Sequence, residues 1–495
     1  MPRWGQRLAG HVVLALCFLG LLTTWASATA RYGGPDEPAH VLRAASVARG
    51  EWTGSAVPGL VAGFRSVTVP AALATGDPRC FRHDRRLPAA CAVADPDARG
   101  DRVAATSSGT YPPWYYVAVG LAVRLVGDPV QVQWYRLAAA ALCSIVLVGC
   151  FIRAHRTALP AVAIMAAIAP SMWFLFGVVN PNSLEIALAL LAWIGVEHVR
   201  RIVSASDVPS VSAMWWVGGP LGLAILIRPI AFVAATTVAV TLVVVLWRRA
   251  LLRRAHWFAV SAAPACAVLA SLVWSLWSGT TVADDRVAAP TSIASRLHDA
   301  VVGTSDTVHE LAGSLGWLEF TAPWPAVVLW WATVAWTGIG AWRARGRLRT
   351  AWIVVATSVV IVPILFETVT AGRIGFIWQG RYSLPTGLGL VIIGSADRGR
   401  RGSAWLAPAR MAAAAVAEIA TFWWVLRRYT VGTNGSWWFA EAGWHPQIPP
   451  LLLLSANAVL VVWLFVMANS VDEAAVHDET RFREGSGPAG GIETC

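Results

Sequence analysis

Long apolar segments separated by short polar connections run along most of the chain. The first covers residues 9 to 29 and follows two arginines near the N-terminus. Crossing the hydrocarbon core of a bilayer takes roughly 20 apolar residues, so segments of this kind predict transmembrane helices. Eleven more follow, at about residues 132–152, 158–178, 183–199, 211–227, 230–247, 257–277, 324–342, 351–370, 381–396, 404–426 and 450–468. The pattern predicts an all-α polytopic membrane protein with about twelve transmembrane helices.

One further apolar segment is too short to cross a bilayer. It opens with Tyr111-Pro112-Pro113 and reaches only to about Val126. Counting it as a span would place most arginine clusters of the later connections on the outer side. A short helix lying in the membrane interface instead leaves those clusters in the cytoplasm, as the positive-inside rule requires. Arg427 and Arg428 are the exception, because they fall on the predicted outer side.

The spans form a single predicted transmembrane domain over residues 1–468. Its long extracytoplasmic loops are residues 31–112 and 278–323, and the polar segment 469–495 is predicted to be a disordered cytoplasmic tail. The N-terminus is also expected in the cytoplasm. A cleaved signal peptide is the alternative for the first segment, because Ala26-Ser27-Ala28 fits a small-residue cleavage site. The apolar run is longer than a signal core of roughly 7 to 15 residues, which favours a retained span.

Composition supports the membrane assignment. Of 495 residues, 56% are hydrophobic and only 14% charged, and the mean hydropathy is +0.57. A soluble globular domain of this size would not show these values. The net charge of +11 comes from arginines in short clusters between apolar segments, not on one continuous face, so it indicates topology and not nucleic-acid binding. No glycine loop for binding a nucleotide is present.

An acidic turn directly after the first span is the most unusual polar feature. It reads Gly33-Gly34-Pro35-Asp36-Glu37-Pro38-Ala39-His40. Two adjacent carboxylates at the edge of a bilayer cost free energy unless they have a partner or a function. We therefore interpret this turn as the catalytic corner of a membrane enzyme.

The other unusual polar residues also fall at junctions on the predicted outer side. They are His40 and Arg43 near the acidic turn, Asn180, Asn182 and Glu185 between spans three and four, Arg228 between spans five and six, and Arg373, Gln379, Arg381 and Tyr382 before span ten. Four separate junctions are thus expected to converge on one face.

These motifs resemble a bacterial family of multispanning membrane proteins of unknown function. The resemblance rests on the Pro-Asp-Glu-Pro-Ala-His turn, the Tyr111-Pro112-Pro113 opening, Asn180-Pro181-Asn182 and the late Gln379-Gly380-Arg381-Tyr382. That family is in turn similar in layout to the GT-C superfamily of integral-membrane glycosyltransferases, which take sugars from polyprenyl-phosphate carriers. The resemblance implies a GT-C-like fold. By position, it implies that Asp36, or less directly Glu37, is the catalytic or metal-coordinating carboxylate.

The chemistry of the residues is compatible with that resemblance. Glycosyl transfer from a lipid phosphate needs a base for the acceptor hydroxyl, which Asp36 or Glu37 could supply, and cations for the departing phosphate. Arginine suits phosphate because its planar fork stays charged and binds two oxygens. A Mg²⁺ or Mn²⁺ ion bridging Asp36 or Glu37 and the phosphate also fits these oxygen ligands. The phosphate-binding candidates are Arg228, Arg373 and Arg381, and the sugar-binding candidates are Tyr111, Tyr115 and Tyr382.

Each candidate also has a structural alternative. Asp36 could cap the helix that starts near Glu37, and Asn180 could cap span four with Glu185 in a capping-box arrangement. Arg228 could extend to the lipid headgroups and Arg381 could anchor the start of span ten. His40 shares a helical face with Glu37, but one acid and one histidine do not make a zinc site.

Six of the seven cysteines fall into two groups. Cys80 and Cys91 share the first outer loop, and a disulfide between them in an oxidising compartment would stabilise it by roughly 3 kcal/mol. The cysteines within apolar segments are expected to be small buried hydrophobes.

The sequence therefore predicts a glycosyltransferase at the outer face of the cytoplasmic membrane. Its donor is a polyprenyl-phosphate-linked sugar, and its acceptor is an envelope glycan, lipid or protein. Two alternatives remain: a transporter or flippase of a lipid-linked sugar, and a non-catalytic scaffold for envelope assembly. A transporter would need ionisable residues within the bilayer, and Glu367 and Glu418 come nearest to that.

Overall fold

The structure is a computed structural model of the chain. It describes residues 2–57, 63–157, 159–205, 207–246, 253–280, 292–395 and 406–485, with the backbone alone at 2–9, 406–408 and 469–485. Parts of two predicted regions, 281–291 of the second outer loop and 486–495 of the tail, lie outside the described residues.

Helices account for most of the described chain. In order they are α1 Pro2–Ala28, α2 Glu37–Ala48, α3 Trp114–Val126, α4 Val132–Arg156, α5 Ala161–Ala167, α6 Pro170–Phe176, α7 Pro181–Ser204, α8 Val211–Ile227, α9 Phe232–Leu246, α10 Arg254–Ser278, α11 Ile293–Val302, α12 Thr304–Gly313, α13 Trp324–Ala344, α14 Gly346–Ile374, α15 Gly380–Gly394, α16 Leu406–Thr430 and α17 Pro450–Gly485. The short strands are β1 Ser55–Ala56, β2 Arg65–Pro70, β3 Asp101–Thr106, β4 Ser314–Leu315 and β5 Phe320–Thr321.

The multispanning helical architecture predicted from the apolar segments is confirmed. Each predicted span overlaps a described helix, and within the described chain 7 helices are long and apolar enough to cross a membrane. The number of twelve spans stays a prediction, because several helices are shorter or less apolar than that standard. At 13 residues, α3 is too short to cross a bilayer alone, which is compatible with the predicted interfacial helix.

The third predicted span is not one continuous helix. Two seven-residue helices, α5 and α6, take its place, with the break at Ile168 and Ala169. Pro170 starts α6, and the residue before a proline is sterically directed away from helical geometry. Ala169 accordingly adopts extended dihedrals, φ −70° and ψ 157°.

The first outer loop has more regular structure than its polar sequence predicts. It contains α2 and an antiparallel sheet in the order β1-β2-β3, and α2 packs on β2 and β3. A disulfide joins Cys80 and Cys91, whose Cα atoms are 6.2 Å apart. These strands were not predicted, because turn residues interrupt the loop and only β2 and β3 exceed two residues.

Arg427 and Arg428 lie at the end of α16, where the positive-inside rule does not place arginines. The Arg428 side chain is fully buried and donates to the backbone oxygens of Leu87 and Phe81 at 2.6 and 2.9 Å. It also pairs with Glu319 at 3.3 Å. Arg428 thus fixes the disulfide-bearing loop to the helical bundle, and this structural role accounts for an arginine on the predicted outer side.

The last helix extends beyond the predicted end of the transmembrane domain. Its backbone stays helical from Pro450 to Gly485, whereas the sequence predicts a disordered tail from residue 469. The described part of that tail is therefore helical.

The central helix of the bundle is α7, which packs against α4, α8 and α15. Nearly all of its residues up to Val199 are buried, as expected for a helix surrounded by other helices. Its N-terminus lies at the same end of the bundle as the turn after α1, the junction of α8 with α9 and the start of α15. The candidate site forms where these four segments meet.

Candidate functional site

The acidic turn is held against the bundle by two glycines. A Cβ atom at Gly33 would lie 2.8 Å from the Tyr429 ring, and one at Gly34 would lie 2.8 Å from Cβ of Val178. Neither distance leaves room for a side chain. The Tyr429 hydroxyl also donates to the Gly33 oxygen at 2.8 Å, so the turn is fixed in place.

Asp36 occupies the N-cap position of α2 but does not cap the helix with its side chain. Its backbone is left-handed, with φ 58° and ψ 9°, a region that aspartate tolerates better than most residues. Its carboxylate accepts no hydrogen bond from the first turn of α2. The Asp36 carboxylate is therefore available to groups outside its own helix.

The partner of Asp36 is Arg381, which is 345 residues away in sequence and lies in the first turn of α15. Nη2 of Arg381 donates to Oδ2 of Asp36. The Asp36 side chain is 44% exposed, whereas that of Arg381 is 8% exposed. Nε and Nη1 of Arg381 are buried and have no acceptor in the described part of the chain. Buried donors of a charged group normally have partners, so these two nitrogens are suited to bind an anion.

The surroundings keep Asp36 ionised. Burial by itself would raise the pKa of this carboxyl, but the positive charges of Arg381 and Arg228 outweigh burial and leave its pKa below the ordinary value. At neutral pH Asp36 is a carboxylate that can accept a proton.

Arg228 and Arg381 converge on the ring of Tyr382. Their guanidinium carbons lie 4.3 and 5.3 Å from the ring centroid. Nη1 of Arg228 also donates to Oε2 of Glu185 at 2.9 Å. The junction of α8 and α9, the start of α15 and the first turns of α7 therefore contribute to one cluster that combines two cations, a phenol and two carboxylates.

Asn180 connects this cluster to the acidic turn. Its Oδ1 accepts the backbone N–H of Asn182 at 3.0 Å and so caps α7, while its Nδ2 donates to the Pro35 oxygen at 3.0 Å. Glu185 does not complete a capping box. Its carboxylate accepts from Arg228 and from the Asn182 side chain instead, so these residues organise the site as well as the helix start.

Aromatic residues form one wall beside Asp36. Nδ1 of His40 lies 2.9 Å from the Tyr116 hydroxyl, and its ring stacks on Tyr116. The Tyr111 ring lies 5.9 Å from that of His40 and is partly exposed. Tyr115 is buried behind this wall, packing edge-on against Tyr116, which removes it from the surface that a sugar could contact.

Arg43 is a buried cation without a carboxylate partner among the described residues. Its Nη2 donates to the Tyr111 oxygen at 3.0 Å, and its Nε and Nη1 have no acceptor there. Burial lowers the pKa of this guanidinium to about 10, so it stays charged at neutral pH.

Arg373 and Gln379, the other candidates that precede span ten, differ from Arg381 in their contacts. Arg373 is exposed at the end of α14 and forms no ion pair with the described part of the chain. Gln379 is the N-cap residue of α15, and its buried Oε1 lacks a partner among the described residues. Of the two, only Gln379 has a buried polar atom without a partner in the described chain.

Glu37 is paired with Arg136 and not with the arginines of the cluster. Nε and Nη2 of Arg136 donate to the two Glu37 oxygens, each at 2.7 Å, and both side chains are almost fully buried. Glu37 also accepts the backbone N–H of Val179 at 3.1 Å. A carboxylate with both oxygens so occupied is poorly placed to act as a base, which leaves Asp36 as the candidate.

Arg136 is the buried residue that sequence reasoning missed at this site. It also donates to the backbone oxygens of Ala26, Thr29 and Ala30, which lie in the last turn of α1 and just after it. One signal was present: an arginine four residues inside a predicted span is rare unless it has a buried partner.

Comparison of the sequence with protein families gives one match. The family described as "Predicted membrane protein (DUF2142)" matches residues 17–390, about three quarters of the chain. The chain belongs to the DUF2142 family. The family that the motifs implied is thereby confirmed, and its description carries no activity.

No curated protein matches this DUF2142 member significantly. Two crystal structures of ArnT from Cupriavidus metallidurans are similar to it. The apo structure has a TM-score of 0.48 and the structure bound to undecaprenyl phosphate has a TM-score of 0.45; in both, identity is 14%, and the alignment covers 95% of this chain and 78% of ArnT. These values are too low to transfer residue roles. The GT-C-like layout therefore stays a prediction, and the roles below rest on this chain's own contacts.

The donor set of this DUF2142 protein does not fit a protein-held divalent cation. In the described part of the chain no three His, Cys, Asp or Glu side chains are grouped to hold a metal ion. Asp36 is paired with a guanidinium, and Nδ1 of His40 is engaged by Tyr116 and Ser108. The buried polar groups without partners among the described residues here include the arginine nitrogens Nε and Nη1 of Arg381 and Arg43, which favours an anion.

His40 makes folding of this DUF2142 protein sensitive to acid. Burial, with Arg381 and Arg228 nearby, outweighs the attraction of Asp36 and lowers the pKa of His40 from 6.5 to about 3. Between pH 6.5 and pH 3 the unfolded chain binds a proton at His40 and the folded chain does not. The free energy of unfolding is therefore highest above pH 6.5 and decreases as the pH falls toward 3. Between pH 6.5 and pH 5 the loss is roughly 2 kcal/mol.

His40→Gln should therefore flatten the fall of thermal stability between pH 6.5 and pH 5, measured as the unfolding midpoint in detergent. The matched control is His83→Gln, because His83 is exposed in the first outer loop. Parallel pH profiles for wild type and His40→Gln would contradict a buried neutral imidazole.

Proposed function

We propose that this protein is a membrane glycosyltransferase that moves one sugar from a polyprenyl-phosphate donor to an acceptor at the outer face of the cytoplasmic membrane. The observation that carries the proposal is the pairing of an ionised, accessible Asp36 with an Arg381 whose Nε and Nη1 lack acceptors. A base and an incompletely satisfied cation side by side are what transfer from a lipid phosphate requires.

The proposed reaction is a single displacement. The Asp36 carboxylate takes the proton of the acceptor hydroxyl as that oxygen attacks the anomeric carbon. The bond from that carbon to the phosphate oxygen breaks, and polyprenyl phosphate leaves with the electron pair. Asp36 then returns its proton to water. Attack opposite the departing phosphate inverts the anomeric configuration.

Arg381 and Arg228 would hold the donor phosphate. Nη2 of Arg381 stays with Asp36 while its Nε and Nη1 donate to the phosphate oxygens. Arg228 is positioned by Glu185 and adds positive charge over the same Tyr382 ring. The charge that develops on the leaving phosphate is thereby stabilised more than that of the bound donor, which lowers the barrier.

The aromatic wall would contact the donor sugar. Tyr382 and Tyr111 are both partly exposed, so they present ring surface beside Asp36. The Tyr111 ring lies 5.9 Å from the ring of His40. Nδ1 of His40 is engaged by Tyr116 and Ser108, so Nε2 is the ring nitrogen that the neutral imidazole would offer to the sugar. The cytoplasmic position of both termini belongs to the same proposal, since it follows from the arginine distribution.

Each of the two acids that a transporter could use, Glu367 and Glu418, has one carboxylate oxygen engaged by the protein. Oε1 of Glu367 accepts the backbone N–H groups of Ile377 and Trp378, which places it as a brace for the turn before α15. Oε1 of Glu418 accepts from Trp25 and Asn457, at 2.8 and 3.1 Å. Both acids thus have structural partners. Release of polyprenyl phosphate by purified protein supports the enzyme, whereas movement of sugar-lipid between leaflets without turnover supports a transporter.

Arg381→Lys tests the phosphate-binding role. Lysine keeps the charge but loses the planar fork, so we expect transfer at limiting donor to fall about 10- to 100-fold, the effect of roughly 1.5–3 kcal/mol of charged hydrogen bonding. The measurement is donor consumption in proteoliposomes across a range of donor concentrations.

Arg373→Lys is the matched control for this substitution. Arg373 has the same charge and lies only eight residues earlier, but it is exposed and outside the cluster. Its replacement should leave the donor dependence unchanged. Equal effects of the two substitutions would remove Arg381 from the phosphate site.

A further inference from the structure

One cavity at the outer end of the bundle is not lined by Asp36. It has a volume of about 710 Å³ and lies between the C-terminal end of α1, the N-terminal end of α4 and two outer loops. We call it the outer groove, and its lining residues that matter below are Arg31, Asp95, Arg99, Gln133, Trp444, His445 and Gln447. Its volume lies within the range of roughly 300–1,000 Å³ typical of small-molecule sites.

The outer groove is separated from the Asp36 cluster by the buried pair of Arg136 and Glu37. Arg136 lines the groove. Its partner Glu37 does not, and Glu37 is next to Asp36 in sequence. The groove is not lined by Asp36, Arg228 or Arg381. A ligand in the outer groove would therefore not occupy the position of the donor phosphate.

Part of the groove is rigid. Arg31 donates from Nε and Nη2 to the backbone oxygens of Thr75 and Ala72, at 3.1 and 2.6 Å, which fixes its guanidinium. The Gln133 amide donates to Ser27 at 3.3 Å, and the Trp444 ring packs against Tyr429 at 6.3 Å. An indole and a guanidinium are thus held in place at the groove before any ligand arrives.

The remainder of the groove offers unused hydrogen-bonding groups. Arg99, His445 and Gln447 are exposed, and their side chains form no hydrogen bond or ion pair with the described part of the chain. Arg31 and Arg99 bring two positive charges, which exceed the single negative charge of Asp95. Amides, an indole face and excess positive charge together match a ligand that has many hydroxyls, an apolar ring face and negative charge.

We propose that the outer groove binds an acidic carbohydrate. Trp444 would stack on a sugar ring, Gln447 and Gln133 would bond its hydroxyls, and Arg99 and Arg31 would pair with its carboxylate or phosphate. Identification of this carbohydrate as the distal part of the acceptor rests on the proposed function, whereas the binding itself does not. Two subsites on either side of the Arg136–Glu37 pair would then hold the donor and the acceptor chain.

A lipid headgroup is less compatible with this lining. Its aliphatic side chains are mainly alanine, proline and the valines Val130 and Val132, which offer little surface to an acyl chain. The polar side chains instead lie on loops of the outer layer, at 94–100 and 444–447. Binding of anionic phospholipid is accordingly kept as an outcome that the experiment distinguishes.

The test measures binding of tetragalacturonate, with neutral maltotetraose as the comparison sugar, by isothermal titration calorimetry of the full chain in nanodiscs. We expect the acidic sugar to bind at least tenfold more tightly than the neutral one. Arg99→Glu should weaken tetragalacturonate binding at least tenfold, and Trp444→Ala should weaken both sugars. Arg85→Glu is the matched control, because Arg85 is exposed in the same outer layer but does not line the groove.

The outcomes separate the proposals. Absence of sugar binding to the wild type, or equal binding by wild type and Arg99→Glu, would overturn the carbohydrate groove. Loss of sugar binding in nanodiscs of anionic lipid relative to zwitterionic lipid, together with retention of that lipid through purification, would overturn it in favour of a headgroup site. Asp36→Asn should bind tetragalacturonate as the wild type does, because Asp36 does not line the groove. Binding in the groove is thus measured independently of the proposed transfer reaction.

Discussion

Asp36→Asn is expected to reduce glycosyl transfer by about 10²- to 10⁴-fold, the contribution of a positioned general base. Asparagine has nearly the same shape and can still accept the hydrogen bond from Arg381, but it cannot take the acceptor proton. The Asp36 side chain caps no helix and is 44% exposed, so its replacement should leave folding intact. The measurement is release of polyprenyl phosphate from a radiolabelled donor by the purified variant in proteoliposomes.

Two comparisons make this result specific. Asp101→Asn removes an exposed outer-layer carboxylate that pairs with Arg49, and it should leave transfer unchanged. Glu37→Gln should retain transfer in whatever fraction folds, because Glu37 faces Arg136 and not the site. Full turnover by Asp36→Asn, or loss of turnover specific to folded Glu37→Gln, would move the base from Asp36 to another residue.

The fold could be predicted largely from the sequence because a bilayer restricts the options of the chain. An apolar segment that must satisfy its own backbone hydrogen bonds in lipid becomes a helix, so segment length and the arginine distribution predict the bundle. Polar residues at the ends of such segments then face the same aqueous layer. Asp36 and Arg381 could therefore be assigned to one face although 345 residues separate them.

What the sequence did not predict depends on contacts between segments. The break between α5 and α6, the sheet of β1, β2 and β3, and the helical start of the predicted tail all lack a periodic signal strong enough to identify them. Arg428 appeared to contradict the topology, because nothing in the sequence shows that its guanidinium binds loop carbonyls. The positive-inside rule counts charges that are free in solution, and a fully buried arginine is not among them.

Within the candidate site, the sequence could not distinguish the two adjacent acids. Asp36 and Glu37 differ by one position, but α2 begins between them, so their side chains diverge toward different neighbours. Glu37 turns to Arg136 in α4 and Asp36 turns to Arg381 in α15. One acid stabilises the turn and the other remains accessible.

Arg136→Leu is expected to have the largest effect on stability of any single substitution at this end of the bundle. It would leave the Glu37 carboxylate, which is fully buried, without its cation, and would remove the donor from three backbone oxygens in the last turn of α1 and just after it. Breaking a buried ion pair from one side costs about 3–5 kcal/mol, because an uncompensated charge remains in a low-dielectric environment. We expect a lower thermal unfolding midpoint and loss of monodisperse protein in detergent.

The double variant Arg136→Leu with Glu37→Leu tests the cause of that loss. If the penalty is the stranded charge, removal of Glu37 should restore part of the stability, so the double variant unfolds at a higher temperature than Arg136→Leu alone. Arg49→Leu is the comparison variant, because it removes an exposed ion pair instead of a buried one. Arg49 and Asp101 are 38% and 47% exposed, and such pairs contribute only about 0–1 kcal/mol to the free energy of unfolding. If Arg136→Leu were no more damaging than Arg49→Leu, the ion pair would not hold the acidic turn. The carboxylate of Asp36 would then owe its position to Arg381 and Asn180 alone.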